Sequence, residues 1–217
     1  MSRIRVKICC ISNREEARLA IEYGADAIGL VGKMPSGPGV IDDEMIRCIA
    51  STTPPAIGTF LLTSELTAEG IVSQYSKACT STIQIVDYID EADYEKIRHE
   101  LPWIKLVQVV HVEDETAIER ARVIAKYVDG ILLDSGKPSA EVKILGGTGK
   151  THNWNISKEI VARSEKPVFL AGGITPENVS DAIEMVHPFG VDVCSGVRTD
   201  GRLDQEKVAK LFDEVRN

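Results

Sequence analysis

The segments PVFLAGGITPEN, residues 167–178, and GVDVCSGV, residues 190–197, decide the fold of this chain. Each is a short apolar run that ends in glycine and small residues, which is typical of a buried strand followed by a tight turn. Behind the first run, Thr175 is the predicted N-cap of a helix, with Pro176 at its first position. Bare N–H groups at glycine turns bind anions, and two such turns on adjacent strands are the usual phosphate site of a (β/α)₈ barrel. The pair therefore predicts a barrel that handles a small phosphorylated molecule.

The rest of the chain alternates short apolar runs with longer amphipathic segments. Eight strand candidates alternating with helices predict an α/β fold, the (β/α)₈ TIM barrel, and no linker divides residues 1–217, so we expect a single domain. An open doubly wound sheet is the alternative, but the first strand lacks the Gly-x-Gly-x-x-Gly turn of such folds. The predicted strands are Arg5–Cys9, Ala27–Val31, Ile57–Leu62, Thr82–Val86, Lys105–Val110, Gly130–Asp134, Val168–Ala171 and Val191–Cys194.

The clearest helical segments carry recognisable end signals. Ser12 and Asp42 have the side chains of N-caps, and Gly24 fits the position just past the end of the first helix. The predicted helices are Asn13–Tyr23, Asp43–Ala50, Glu113–Tyr127 and Asp204–Val215.

Composition excludes several classes of protein. The net charge of −8 argues against a nucleic-acid partner, because binding to the phosphate backbone needs a basic face. No apolar run reaches the length of a membrane span, and no signal-peptide pattern opens the chain. The five cysteines have no regular spacing, which favours the reducing cytoplasm over a disulfide framework, and the four histidines show no metal-binding spacing. The oligomeric state stays open.

Two reactive residue types stand where predicted strands end, which is where a barrel places its chemistry. Cys9 ends the first strand and Asp134 ends the sixth, so a potential base or nucleophile and a potential acid are expected at one mouth. A buried structural thiol and a loop-capping carboxylate are the alternatives. Cys10 is expected to point to the opposite face and pack in the core. His111 either faces the pocket or lies in a solvent-side loop, and Arg198 either reaches an anion or lies on the surface.

A glycine-rich segment over residues 146–151, GGTGKT, follows the sixth strand. It is superficially similar to a nucleotide-binding loop, but Ile144 takes the place of the first glycine of that motif. We interpret the segment as a substrate-covering loop, since long loops at the carboxyl end of a barrel are usually functional.

Taken in order along the chain, these motifs resemble the phosphoribosylanthranilate isomerase family. Each motif alone is weak, whereas the ordered set is specific. The resemblance covers nearly the whole chain and is carried by Lys7–Cys9, Gly24–Gly29, Leu132–Ser135, Gly146–Thr151 with Trp154, Leu170–Val179 and Val191–Val197.

The resemblance implies a (β/α)₈ barrel that isomerises N-(5-phosphoribosyl)anthranilate by an Amadori rearrangement in tryptophan synthesis, without cofactor or metal. It implies that Cys9 is the general base and Asp134 the general acid. A cysteine base must be a thiolate, so we expect Lys7 or nearby helix dipoles to favour that form. The substrate and its phosphate are expected at Lys7, Gly147, Gly172, Gly173, Ser195 and Gly196. A related barrel isomerase acting on another phosphorylated aminoaldose and a non-catalytic barrel that binds a sugar phosphate remain as alternatives.

Three motifs depart from the family pattern. The usual Ser-Pro-Arg after the second strand is replaced by Met34–Gly39, the usual Cys-Gly by Cys9–Cys10, and the usual Gln-Leu-His-Gly by Gln84–Asp87. The missing arginine lies near the substrate's anionic groups in the family, so another group must contact the aromatic carboxylate. We expect Lys33 or the N–H groups of Ser36–Gly39 to do so. Other cations of the predicted mouth are Lys137, Lys150, His111 and Arg198.

Overall fold

Eight parallel strands close into a barrel in sequence order, with the first strand hydrogen-bonded to the eighth. The structure is a computed structural model that describes residues 3–35, 37–136 and 151–216. The predicted (β/α)₈ barrel is confirmed. The barrel strands are β1 (Arg5–Ile8), β2 (Ala27–Val31), β3 (Gly58–Thr63), β4 (Thr82–Ile85), β5 (Lys105–His111), β6 (Gly130–Asp134), β7 (Val168–Leu170) and β8 (Gly190–Val193).

Helices surround the barrel, and a short antiparallel ribbon follows the last strand. The ribbon pairs β9 (Arg198–Thr199) with β10 (Arg202–Leu203). The helices are α1 (Arg14–Tyr23), α2 (Asp43–Thr52), α3 (Ala68–Ala78), α4 (Glu91–Glu100), α5 (Thr116–Ile124), α6 (Trp154–Arg163), α7 (Val179–Val186) and α8 (Gln205–Arg216). Within the described residues, no helix is long and apolar enough to cross a membrane.

The predicted helix ends are right in two places and wrong in two. Asp42 caps α2 by accepting from Met45 N, and Gly24 ends α1 with φ +112°. The N-cap of α1 is Asn13 rather than Ser12, because the Asn13 side chain accepts from Glu16 N. Thr175 does not cap a helix either. Its hydroxyl accepts from Glu177 N within a turn, and α7 begins only at Val179.

The barrel interior is mostly apolar, but it also contains buried charged side chains. Apolar residues such as Phe60, Leu132 and Phe169 fill it, as expected for layers of inward-facing side chains. Lys7 on β1 and Asp192 on β8 lie at the same register and are both buried. Burying charge is costly unless it is paired, so these two residues mark a place where the interior is specialised.

Candidate active site

A cavity opens at the carboxyl ends of the strands, and most of the predicted site residues line it. Cys9 comes from the end of β1 and Asp134 from the end of β6, with β7 and β8 between them in the barrel. Gly172, Gly173 and Ser195 line the same cavity. A thiol and a carboxyl group therefore share one cavity with both glycine turns.

Cys9 is tightly packed against the neighbouring strands β2 and β8. Its N–H donates to the carbonyl of Val193 across 2.8 Å, which fixes the end of β1 against β8. A Cβ atom on Gly29 of β2 would lie 2.7 Å from Cys9 Sγ and 3.0 Å from Lys7 Nζ. Only a glycine therefore allows the thiol and the ammonium to approach β2 this closely.

Lys7 is a cation buried beneath the cavity. Its side chain is 0% exposed, and Nζ lies 2.9 Å from Oδ1 of Asp192. Burial by itself favours the neutral amine, but the Asp192 carboxylate and the Cys9 sulfur overcome it and raise the pKa of Lys7 above its usual value. The ammonium thus persists next to Cys9. Lys7 is not among the residues that line the cavity, but its Nζ and the Cys9 sulfur are neighbours, since both lie within 3.0 Å of the Cβ position of Gly29.

Asp134 is half-buried at the opposite side of the mouth. Burial raises the pKa of its carboxyl group, although the N–H of Ser135, which donates to Oδ1 across 2.7 Å, partly opposes this. His111 is paired with Asp134 in the register of β5 and β6 and is fully buried, with Nε2 2.9 Å from the carbonyl of Val86. His111 is therefore an interior residue, and the solvent-side alternative is wrong. A carboxyl group that keeps its proton more readily is suited to act as an acid.

Cys10 is buried in the apolar cluster of the barrel interior, as expected of a core thiol, but it lies on the same side as Cys9, so the prediction that it points to the opposite face is wrong. Its backbone adopts φ +61°, and this left-handed turn directs the side chain into the mouth beside Cys9. There its sulfur lies 2.7 Å from that of Cys194, and a hydrogen bond joins the two. The prediction assumed that side chains alternate between the two faces of a strand through Cys10. That alternation does not apply here, because β1 ends at Ile8, before the cysteine pair.

The Arg198 side chain is not on the surface, and the two terminal nitrogens of its guanidinium group are engaged by the protein. Its guanidinium pairs with Glu16 across 3.0 Å, and both side chains are nearly buried. The same guanidinium donates to the carbonyls of Cys9 (3.2 Å) and Cys10 (2.5 Å). Glu16 also accepts from the N–H groups of Ser12 and Leu203. This network holds the turn that carries Cys9.

The two glycine turns have the geometry of an anion cradle. Gly172 and Gly173 adopt φ +79° and +67°, and a Cβ on Gly196 would lie 2.0 Å from the carbonyl oxygen of Ile174. The turns thus approach each other at a distance only glycine allows. Among the described residues, the N–H groups of Gly172, Gly173, Ser195 and Gly196 have no protein acceptor, so they are available to a ligand.

The loop after β2 also reaches the mouth, where Met34, Gly37 and Pro38 line the cavity. Lys33 is exposed. Several predicted residues lie outside the described part of the chain: Gly147, Lys137 and Lys150 in the glycine-rich loop, and Ser36 in the loop after β2.

Sequence reasoning missed Asp192, Gly29 and Glu16. The signal for Asp192 was present, because a carboxylate between two valines of a buried strand requires a buried cation. Gly29 and Glu16 gave no comparable signal, since their roles depend on contacts with distant strands.

Comparison with known proteins identifies the family. The family model for N-(5'phosphoribosyl)anthranilate (PRA) isomerase matches residues 6–214. The chain belongs to this family. An N-(5'-phosphoribosyl)anthranilate isomerase of Methanocella arvoryzae is 34% identical over 213 residues, which cover 98% of each chain.

Solved structures of the PRA isomerase family share the fold. The enzyme of Thermotoga maritima superposes with a TM-score of 0.82 at 32% identity, covering 98% of both chains. A family structure in complex with reduced 1-(o-carboxyphenylamino)-1-deoxyribulose 5-phosphate has a TM-score of 0.79 at 29% identity, again covering 98% of both chains. The compound bound in that structure is a sugar phosphate.

Proposed function

We propose that the protein converts N-(5-phosphoribosyl)anthranilate into 1-(2-carboxyphenylamino)-1-deoxyribulose 5-phosphate, with Asp134 as general acid and Cys9 as general base. Membership of the PRA isomerase family supports the reaction. The observation that carries the catalytic roles is that Cys9 and Asp134 line one cavity together with the glycine turns after β7 and β8.

Asp134 acts first by protonating the ring oxygen of the ribose. The bond between that oxygen and C1′ breaks, the ring opens, and a protonated Schiff base forms. The raised pKa of the Asp134 carboxyl group helps it to hold the proton that this step needs.

Cys9 then removes the proton from C2′, which gives an enolamine. Protonation of C1′ and loss of the hydroxyl proton at C2′ produce the ketone. The reactive form of Cys9 is the thiolate, and the buried ammonium of Lys7 provides the opposite charge next to it. Proton transfers by placed groups typically contribute about 10²–10⁴-fold each.

The substrate's phosphate binds to the N–H groups of the two glycine turns, at Gly172, Gly173, Ser195 and Gly196. These groups lack protein acceptors within the described residues, and the positive φ angles at Gly172 and Gly173 open the first turn. The aromatic carboxylate lies towards the loop after β2, whose Gly37 and Pro38 line the cavity. Backbone N–H groups of that loop, or Lys33, replace the family's arginine there.

Purified protein supplied with phosphoribosylanthranilate made in situ tests this proposal, with the product identified by mass. The same assay is run with an analogue that lacks the carboxylate. Its kcat/KM should be about 10-fold or more below that of phosphoribosylanthranilate, because a charge-assisted contact is lost. Equal use of both compounds would favour the alternative of another phosphorylated aminoaldose. Failure to convert either, with phosphate still bound, would favour a non-catalytic binding barrel.

A further inference from the structure

The ends of β1 and β8 bring two thiols into contact. Cys10 Sγ and Cys194 Sγ lie 2.7 Å apart, although 184 residues separate them in the chain. Ile8 and Val193, the last residues of the two strands, are paired in register, so both cysteines lie just beyond that pair. The proposed acid–base chemistry uses neither sulfur.

We propose that Cys10 and Cys194 form an oxidation site, where a small disulfide such as oxidised glutathione converts the two thiols into a Cys10–Cys194 disulfide and thereby inactivates the enzyme. The loss of activity rests on the proposed isomerase function. The formation of the disulfide does not.

The chemistry is two successive thiol–disulfide exchanges. The Cys194 thiolate attacks one sulfur of the small disulfide, a Cys194 mixed disulfide forms, and one thiolate leaves. Cys10 then loses its proton and attacks the Cys194 sulfur, the Cys10–Cys194 bond forms, and the second thiolate leaves. Two protein thiols are oxidised, and one small disulfide is reduced to two thiols.

Accessibility and charge select Cys194 as the attacking thiol. It is half-buried and lines the cavity, so a reagent reaches it through the mouth. The hydrogen bond between the two sulfurs lowers the pKa of Cys194 and raises that of Cys10, and the Arg198 guanidinium lowers the pKa of Cys194 further. Cys194 is therefore the more acidic of the two thiols.

The disulfide disturbs the site because Cys10 is packed against two parts of it. Cys10 directly follows Cys9, and Arg198 holds the carbonyls of both residues. A Cβ on Gly39 would lie 2.5 Å from Cys10 Cβ, so the loop after β2 touches Cys10 as well. Closing the sulfur pair to bonding distance shifts this turn, and a displacement of about 1 Å in a catalytic group costs up to about 10²-fold in rate.

Three other cysteines, Cys9, Cys48 and Cys79, could also react with the small disulfide. The experiment must distinguish their products from the Cys10–Cys194 bridge. Cys48 is half-buried and Cys79 exposed, both away from the cavity. Replacing these two by serine gives a background in which the described thiols at the mouth are the only cysteines left. The Cys9–Cys10 and Cys9–Cys194 bridges are then the two competitors. The first survives Cys194→Ser and the second survives Cys10→Ser, whereas the Cys10–Cys194 bridge survives neither replacement.

The test treats the reduced Cys48→Ser/Cys79→Ser protein with excess oxidised glutathione, traps free thiols in acid, and maps peptides by mass. We expect the mass of the protein to fall by two hydrogens and a crosslinked peptide containing Cys10 and Cys194 to form. Activity should fall at least about 10-fold and be restored by dithiothreitol. Cys194→Ser should form no intramolecular bridge. Cys10→Ser should stop at the Cys194 mixed disulfide. Each variant is compared with its own reduced form.

Three results would overturn the proposal: three free thiols after prolonged oxidation, an intramolecular bridge in Cys194→Ser or in Cys10→Ser, or full activity of a protein mapped as Cys10–Cys194. A reduced protein that never shows isomerase activity would count against the proposed function. Peptide mapping would still decide whether the bridge forms.

Discussion

The Lys7 ammonium lies 2.9 Å from the Asp192 carboxylate, one layer below Cys9 in the closed barrel. The pair fixes a positive charge beside the proposed base. Lys7 is fully buried and Asp192, which lines the cavity, is 7% exposed, so the cost of burying each charge is offset by the attraction between the two.

Lys7→Met should destabilise the protein by about 3–5 kcal/mol, because it leaves Asp192 buried without a cation. Lys7→Met/Asp192→Leu should recover much of that loss in urea denaturation but keep a low kcat, since Cys9 still lacks its cation. Lys105→Met is the control, because Lys105 forms an exposed ion pair with Asp129 at 3.5 Å and should cost less than about 1 kcal/mol. Normal kcat in the double variant would remove Lys7 from the mechanism.

Glu16→Gln should change how stability depends on pH. Burial opposes ionisation of Glu16, but Arg198 and the N–H groups of Leu203 and Ser12 lower its pKa below the usual 4.5. The folded state therefore binds this proton more weakly, and the stabilisation, present above the ordinary pKa, is lost as the pH falls through the folded one. The free energy of unfolding, measured between about pH 3 and pH 6, should decline less steeply in the variant than in the wild type.

Glu22→Gln is the matched control for Glu16→Gln, because Glu22 is exposed and pairs with Arg18 at 3.6 Å. It should follow the wild-type curve. Identical curves for both variants and the wild type would mean that the Glu16–Arg198 network does not contribute to stability.

Asp134→Asn should raise stability at neutral pH while it lowers kcat. Burial raises the pKa of Asp134, so the folded state binds the proton more tightly, and stability falls as the pH rises from the ordinary pKa through the folded one. Asparagine carries no charge and avoids this loss. A higher urea midpoint together with a fall in kcat of about 10²–10⁴-fold is the expected result, and an unchanged midpoint would contradict the role of burial.

Gly29→Ala should reduce kcat by displacing Cys9. The added Cβ would lie 2.7 Å from Cys9 Sγ, and overpacking of this kind costs about 1–3 kcal/mol. Gly58→Ala is the control, because its Cβ would meet Phe60 and Ala27 at 3.2 and 3.3 Å, and neither of these contacts lines the cavity. Steady-state kinetics should show a lower kcat only for Gly29→Ala. Equal kcat values in the two variants would show that the Cys9 position is not critical.

The sequence predicts the fold well because periodicity is a local property. All eight predicted strands overlap the barrel strands, since buried parallel strands are nearly continuous apolar runs between helices. Helix ends are less predictable. Asn13 rather than Ser12 caps α1, and both side chains are good caps, so only the backbone conformation decides between them.

The site is predictable where it follows from strand ends and unpredictable where it follows from long-range contacts. Cys9 and Asp134 were expected at one mouth, and the structure places both on one cavity. The contact between Cys10 and Cys194 depends on a left-handed turn after β1, and no local pattern specifies that turn for a cysteine. The burial of Arg198 likewise depends on Glu16, which is far away in the sequence.

The most direct test of the central claim compares turnover with binding in Cys9→Ser. The substrate is phosphoribosylanthranilate, and the ligand is the reduced 1-(o-carboxyphenylamino)-1-deoxyribulose 5-phosphate that a family member binds. Removing the base should lower kcat by about 10²–10⁴-fold and change the Kd of the reduced analogue by less than about 10-fold, because the phosphate turns stay intact. Wild-type kcat in Cys9→Ser, or a loss of affinity as large as the loss of kcat, would contradict the assignment of Cys9 as the base.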